Sequence, residues 1–129
     1  MPLIERIVLV DDNDADNEYH EIIIRRAGFG GQIVAIGRGP DALKFVENAD
    51  LEKQTIIFLD INMPIMNGFQ VAESAAPLLR DKPAIAVFIL SSSDSEADRA
   101  RAGELEVVRG YICKPLTVAR VREMLAQAS

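Results

Sequence analysis

The sequence predicts an α/β fold in which five helices flank a doubly wound, five-stranded parallel sheet. Short apolar runs rich in β-branched residues recur along the chain, and such runs are typical of strands buried on both faces. Segments with helical periodicity separate the runs, so that a crossover helix follows each strand. The length of 129 residues suits one domain that can bury a core of its own.

The predicted strands are short and apolar, and they occupy residues 7–10, 32–36, 56–59, 84–90 and 110–113. The predicted helices cover residues 13 or 14 to about 27, a segment opening at Gly39-Pro40, a segment from Gly68, residues 94–103, and a C-terminal segment with Leu116, Val121, Met124 and Leu125. Pro77 interrupts the third helical pattern, which predicts a helix that is kinked or ends early. The fourth helix is polar and charged, so we expect it to pack least firmly.

The first helix carries an apolar stripe of Tyr19, Ile22, Ile23 and Ala27, which predicts that these side chains face the sheet. His20 lies among polar residues of the same helix, so we expect its imidazole to be solvated. Gly28 is predicted to end this helix.

Polar side chains follow four of the strands at the point where each strand ends. Asp11 and Asp12 follow the first strand, Asp60 the third, Ser91 the fourth and Lys114 the fifth. Because ligands of open α/β sheets bind outside the carboxyl ends of the strands, we expect these side chains to form one site. Three carboxylates repel each other unless a cation neutralises them, and an oxygen-only cluster suits Mg²⁺. A metal ion held by these acids, the Ser91 hydroxyl as a hydrogen-bond donor and the positively charged Lys114 together form a site that can bind a phosphoryl group.

The composition argues against several classes of partner. The net charge of −6 is unfavourable for binding nucleic acid directly. No apolar run is long enough to span a membrane. Because residues 1–6 lead directly into the first strand, we expect no signal peptide. The single cysteine excludes an internal disulfide and fits a reducing compartment, so we expect a cytoplasmic protein without membrane insertion.

Taken in order, these motifs resemble the receiver domain of two-component response regulators, a family with a CheY-like, flavodoxin-like fold, and the resemblance implies a bacterial protein. The resemblance covers essentially the whole chain, 1–129, with no output domain expected. It rests on Asp11-Asp12, the loop 60–68 (DINMPIMNG), Ser91 and Lys114-Pro115. It implies the strand order 2-1-3-4-5, which makes the first and third strands neighbours.

The resemblance implies a signalling function rather than a metabolic enzyme. Asp60 would accept a phosphoryl group from a phosphohistidine of a sensor histidine kinase or a histidine phosphotransfer protein, and the domain would catalyse this transfer and its own dephosphorylation. Asp12, Asp60 and the backbone carbonyl of Asn62 would hold Mg²⁺, with Asp11 acting mainly through a bound water. Lys114 would pair with the phosphoryl oxygens. The output would be a phosphorylation-dependent protein contact or a step in a phosphorelay.

The resemblance also implies a switch. Ser91 would donate a hydrogen bond to the phosphoryl group, Tyr111 would rotate inward as the hydroxyl moves, and the Lys114–Pro115 bond would be cis. Asn62 and Ser93 would border the path of the hydrolytic water and tune the phosphoryl lifetime. The face formed by the fourth helix, the fifth strand and the fifth helix would respond, with weak homodimerisation through it as one outcome.

Other interpretations of these residues stay open. The acid pair can be a plain helix cap, and in the serine tract after the fourth strand Ser92 could take the place of Ser91. A Mg²⁺-dependent phosphatase would usually need a second acid where this chain has Asn62. A flavodoxin-like cofactor carrier would need a phosphate loop where this chain has acids. A degenerate receiver that binds partners without phosphorylation is the third alternative.

Overall fold

Ten elements alternate along the chain in a computed structural model, which describes residues 3–49 and 52–128. They are β1 (Arg6–Val10), α1 (Asp14–Arg26), β2 (Gln32–Ile36), α2 (Gly39–Asn48), β3 (Thr55–Leu59), α3 (Gly68–Leu79), β4 (Ile85–Ser91), α4 (Glu96–Glu104), β5 (Val108–Cys113) and α5 (Val118–Ala128). Each predicted strand and helix is therefore present, with boundaries displaced by a few residues.

All neighbouring strands are parallel, and their order is β2-β1-β3-β4-β5, which confirms the expected doubly wound sheet. The register pairs Val10 of β1 with Leu59 of β3. The two strands that precede the acids therefore end at the same level. The only register shift between paired strands of the described chain lies at Val87 and Phe88, where β4 pairs with β5.

Alternation along the central strands divides the core into two layers. Val8 of β1 and Ile57 of β3 pack on the face covered by α2 and α3, whereas Leu9 and Phe58 pack on the face covered by α1 and α5. All four side chains are buried, as expected for central strands of a parallel sheet. Burying each such side chain stabilises the fold by about 1.5–3 kcal/mol, which fixes the strand ends that carry the site.

The predicted apolar stripe of α1 is wrong in part. Tyr19 is 48% exposed and Ile22 is 52% exposed, whereas Ile23 and Ile24 face the core. His20, expected to be solvated, is only 3% exposed. The physical reason is helical phase: position 20 lies three and four residues before Ile23 and Ile24 and therefore shares their face.

The helix α3 continues through Pro77 to Leu79, so the expectation that it ends early is wrong. Pro77 lies on the exposed side of the last turn, where water can reach the carbonyl that its missing N–H cannot bond. Of the residues of α4, all of which the structure describes, only Ala102 is buried, which confirms the expected weak packing. No helix in the described ranges has the length and apolar character needed to cross a membrane.

Candidate functional site

The sheet hydrogen bonding extends one residue beyond the ends of β1, β3 and β5. It holds the backbone of the site residues that follow these strands, Asp11, Asp60 and Lys114. The N–H of Asp11 donates to the carbonyl of Ile36 at 3.0 Å, and the N–H of Asp60 donates to that of Val10 at 2.9 Å. The N–H of Lys114 donates to the carbonyl of Ser91 at 2.8 Å. Each functional side chain therefore projects from a backbone position that a neighbouring strand holds.

Three carboxylates converge at this edge. One oxygen each of Asp11, Asp12 and Asp60 lies within 4.8 Å of the others, with Asp12 exposed and the other two buried. The site thus has two buried acids, Asp11 and Asp60, and one acid that is exposed to solvent, Asp12. Carboxylate oxygens in this number suit a largely hydrated Mg²⁺ ion, so the residues present fit the ion that the sequence predicts.

Burial raises the pKa of the Asp60 carboxyl from 3.8 to about 6, with Lys114 opposing this and Asp11 adding to it. A hydrogen bond from the backbone of Asn62 favours the charged form. A raised pKa means that the charged carboxylate is held at a free-energy cost in the metal-free protein. A cation at this edge would offset that cost.

Lys114 contacts three acids. Its Nζ lies 2.6 Å from Asp11 Oδ2, 2.9 Å from Asp16 Oδ2 and 3.8 Å from Asp60 Oδ1. Burial alone would lower the pKa of Lys114, but the hydrogen bonds to Asp11 and Asp16 and the negative charges of Asp60 and Asp11 together outweigh it, and the pKa is raised. Lys114 therefore stays charged. Of the three acids that it contacts, Asp60 is the most distant.

The loop between β3 and α3 closes against the site because Gly68 has no side chain. A Cβ at Gly68 would collide with the backbone carbonyl of Asp60. Asn67 caps α3 in a reciprocal box with Gln70, which sets where the loop ends. Within the loop Met63 is buried, and Asn62 is exposed beside the acids.

Ser91 is fully buried, and its Oγ accepts a hydrogen bond from the N–H of Ser93 at 3.1 Å. The Ser93 carbonyl accepts from the Tyr111 hydroxyl at 2.7 Å. The Ser93 hydroxyl donates to Asp98 Oδ2 at 2.6 Å. Ser93 therefore links Ser91 to Tyr111 of β5 through its backbone and to Asp98 of α4 through its hydroxyl.

Two residues near the site were missed from the sequence. Asp16 was not assigned a role, yet it is the second hydrogen-bond acceptor of Lys114. His20 accepts a hydrogen bond at Nε2 from the N–H of Leu116 at 3.3 Å, just after the cis Lys114–Pro115 bond that the resemblance implies. Burial, and then Lys114, lower the pKa of His20. The burial of His20 could have been predicted from the helical phase. If Ile23 and Ile24 face the core, Asn17 and His20 lie on the same face of α1 and are buried with them.

Fold and site together define a class of protein: a doubly wound α/β domain with an acidic, lysine-containing site at the carboxyl edge of its sheet. The sequence matches the response regulator receiver domain family over residues 7–126. The chain belongs to this family.

Known proteins agree with this assignment. The chain is similar to the protein PilH of Pseudomonas aeruginosa, with 30% identity over 113 residues that make up 86% of each protein. It is similar to the structure of a two-component response regulator from Cytophaga hutchinsonii, with 29% identity, a TM-score of 0.85 and 98% of both chains covered. A receiver protein from Dyadobacter fermentans shares the fold at 23% identity and a TM-score of 0.86, over 96% of this chain and 97% of that one.

Several other relatives are longer. The chain spans about half the length of transcriptional regulatory proteins such as HprR of Escherichia coli, which is 32% identical over 126 residues, 95% of this chain and 52% of HprR. The similarity therefore concerns the receiver domain, and it leaves the role of those proteins in transcriptional regulation outside the comparison.

Proposed function

We propose that the domain accepts a phosphoryl group on Asp60 from a phosphohistidine of a sensor histidine kinase or a histidine phosphotransfer protein. The observation that carries this proposal is the placement of one buried carboxylate between two further acids and a lysine at the carboxyl edge of the sheet. A carboxylate is an established nucleophile for such a transfer. Asp11 shares this burial and these contacts, but its Oδ1 already accepts a hydrogen bond from the N–H of Asn13 and its Oδ2 accepts one from Lys114. The choice of Asp60 over Asp11 rests on its position in the receiver motif.

In the proposed reaction an Asp60 carboxylate oxygen attacks phosphorus while the bond from phosphorus to the donor imidazole nitrogen breaks. The imidazole leaves with the electron pair, and the product is an acyl phosphate. Lys114 provides positive charge 3.8 Å from the acceptor oxygen. Ser91 would donate a hydrogen bond from its hydroxyl to a phosphoryl oxygen after transfer. Positioning and charge neutralisation supply most of the catalysis in reactions of this type.

The proposed ligands for Mg²⁺ are Asp12, Asp60 and the carbonyl of Asn62, with Asp11 acting through water. When bound, the ion would neutralise charge on the phosphoryl oxygens. The raised pKa of Asp60 and the convergence of three acids support this assignment.

The proposed response passes through Ser93. If Ser91 turns toward a phosphoryl group, its Oγ gives up the N–H of Ser93, and Ser93 also holds Tyr111 and Asp98. The face formed by α4, β5 and α5 should therefore change, with protein contacts or weak dimerisation as its output. Amide exchange should differ there before and after phosphorylation, and changes confined to α1 would contradict this route.

We also propose that the domain acts in the cytoplasm and without binding nucleic acid directly. The acidic net charge of −6 supports the second point.

A degenerate receiver would keep this fold without accepting phosphate. The decisive test is incubation with Mg²⁺ and acetyl phosphate, followed by intact mass measurement. The parent protein should gain one phosphoryl group that hydroxylamine removes, and Asp60→Asn should gain none. Asp14→Asn is the matched control for loss of one acid near this edge, because Asp14 is exposed in the first turn of α1 and lies outside the carboxylate cluster. An undiminished, hydroxylamine-resistant adduct on Asp60→Asn would refute the proposal and indicate a serine.

A further inference from the structure

Both side-chain hydrogen bonds of Lys114 are made to acids other than Asp60. They run to Asp11 and Asp16, at 2.6 and 2.9 Å, whereas Asp60 lies at 3.8 Å. A phosphoryl group on Asp60 would need hydrogen bonds from this ammonium. Two of the three N–H donors of the ammonium are used by Asp11 and Asp16. A phosphoryl group that takes a second donor, or that draws the ammonium closer to Asp60, therefore competes with these two acids.

The two contacts differ in how easily they break. The Asp11 side chain is 7% exposed and also accepts a hydrogen bond from the N–H of Asn13, so losing Lys114 would leave a buried charge. The Asp16 side chain is 41% exposed, so water can replace Lys114 there at small cost. Asp16 is therefore the contact that yields.

The capping geometry of α1 leaves the Asp16 carboxylate available to Lys114. Asp16 is the third residue of the helix, where an acidic side chain often accepts the N–H of the cap residue. Here the N–H of the cap residue Asn13 donates to Asp11 instead, at 2.9 Å. The Asn13 side chain in turn accepts from the N–H of Asp16 at 3.1 Å, which fixes the start of the helix.

We propose that Asp16 is a positioning residue that holds Lys114 in a resting place away from Asp60 and thereby slows phosphoacceptance. This inference rests on the proposed function. Asp16 is not among the three carboxylates that converge as a candidate metal site, so its effect is exerted through the lysine. Asp16 competes with the incoming phosphoryl group for the same ammonium.

The test compares phosphorylation rates with acetyl phosphate and Mg²⁺ for the parent, Asp16→Asn, Asp16→Glu and Asp14→Asn. Asp14 is the matched control because it lies in the same first turn of α1, is exposed, and has no side-chain hydrogen bond or ion pair within residues 3–49 and 52–128. We expect Asp16→Asn to react about two- to fivefold faster, a modest gain because a partly exposed ion pair is weak. Asp16→Glu keeps the carboxylate and should remain near the parent rate.

Thermal unfolding midpoints of the same four proteins separate positioning from stability. Asp16→Asn and Asp14→Asn should unfold at similar temperatures while only the first reacts faster. A slower Asp16→Asn, a rate equal to that of Asp14→Asn, or an equal gain in Asp16→Glu would each overturn the inference and leave the proposed function intact. Failure of the parent to become phosphorylated would instead overturn both.

Discussion

Replacing Asp60 by asparagine should stabilise the metal-free protein at neutral pH. The carboxyl is buried, and its pKa is raised from 3.8 to about 6, so the folded state holds the charged form at a cost. One pKa unit corresponds to about 1.4 kcal/mol, which places the ceiling near 3 kcal/mol. Asparagine keeps the shape and removes the charge. The net pKa shift already includes the attraction to Lys114, but the asparagine amide still has to be desolvated, which reduces the gain. We therefore expect a gain of about 1–2 kcal/mol.

The pH dependence has a definite sign. A pKa that is raised in the folded state means that the cost is fully present above about 6 and absent below 3.8. The advantage of Asp60→Asn should therefore be largest at pH 7 to 8 and should shrink as the pH falls through this window.

Urea and thermal unfolding with a chelator present, at pH 7.5, 5 and below 4, would measure this effect. A gain of 1–2 kcal/mol corresponds to roughly 3–10 °C for a domain of this size. Asp12→Asn is the matched control, because Asp12 is exposed and its replacement relieves little desolvation. A destabilised Asp60→Asn at pH 7.5, or a gain that persists unchanged below pH 4, would refute the reasoning.

Three further predictions concern the metal, the phosphoryl lifetime and the buried histidine. Asp12→Ala should bind Mg²⁺ much more weakly in a titration, since a largely hydrated ion has few protein ligands to lose; equal affinity would mean that Asp12 is not a metal ligand. A bulky apolar residue at Asn62 or Ser93 should slow loss of the phosphoryl group without changing Mg²⁺ affinity, and unchanged decay in both variants would remove these residues from the mechanism. Burial lowers the pKa of His20 below 6.5, so the folded state loses stability as the pH falls below that value and the unfolded state binds a proton at this histidine. The double variant Asp60→Asn/His20→Gln should therefore lose less stability between pH 7 and 5 than the single variant Asp60→Asn, and parallel curves of unfolding free energy against pH would contradict this.

The sequence alone predicted the sheet and the edge that carries the site. Apolar runs ending in acids, a serine and a lysine are local patterns, and parallel strands bring such ends together without any knowledge of side-chain packing. The resemblance to receiver domains then supplied the strand order, which the structure confirms. For this reason Asp60 and its neighbouring acids could be located before any coordinates were known.

Only the tertiary structure decided which partners these residues have. The apolar residues of α1 allowed more than one helical phase, and packing against β1 and α5 chose the one that buries His20 and exposes Tyr19. The rotation of α1 about its own axis also determines that Asp16, among the acids of its first turn, reaches Lys114, which lies 98 positions further along the chain. Such pairings depend on the rotation of a whole helix and the reach of long side chains, and neither is encoded by a short stretch of sequence.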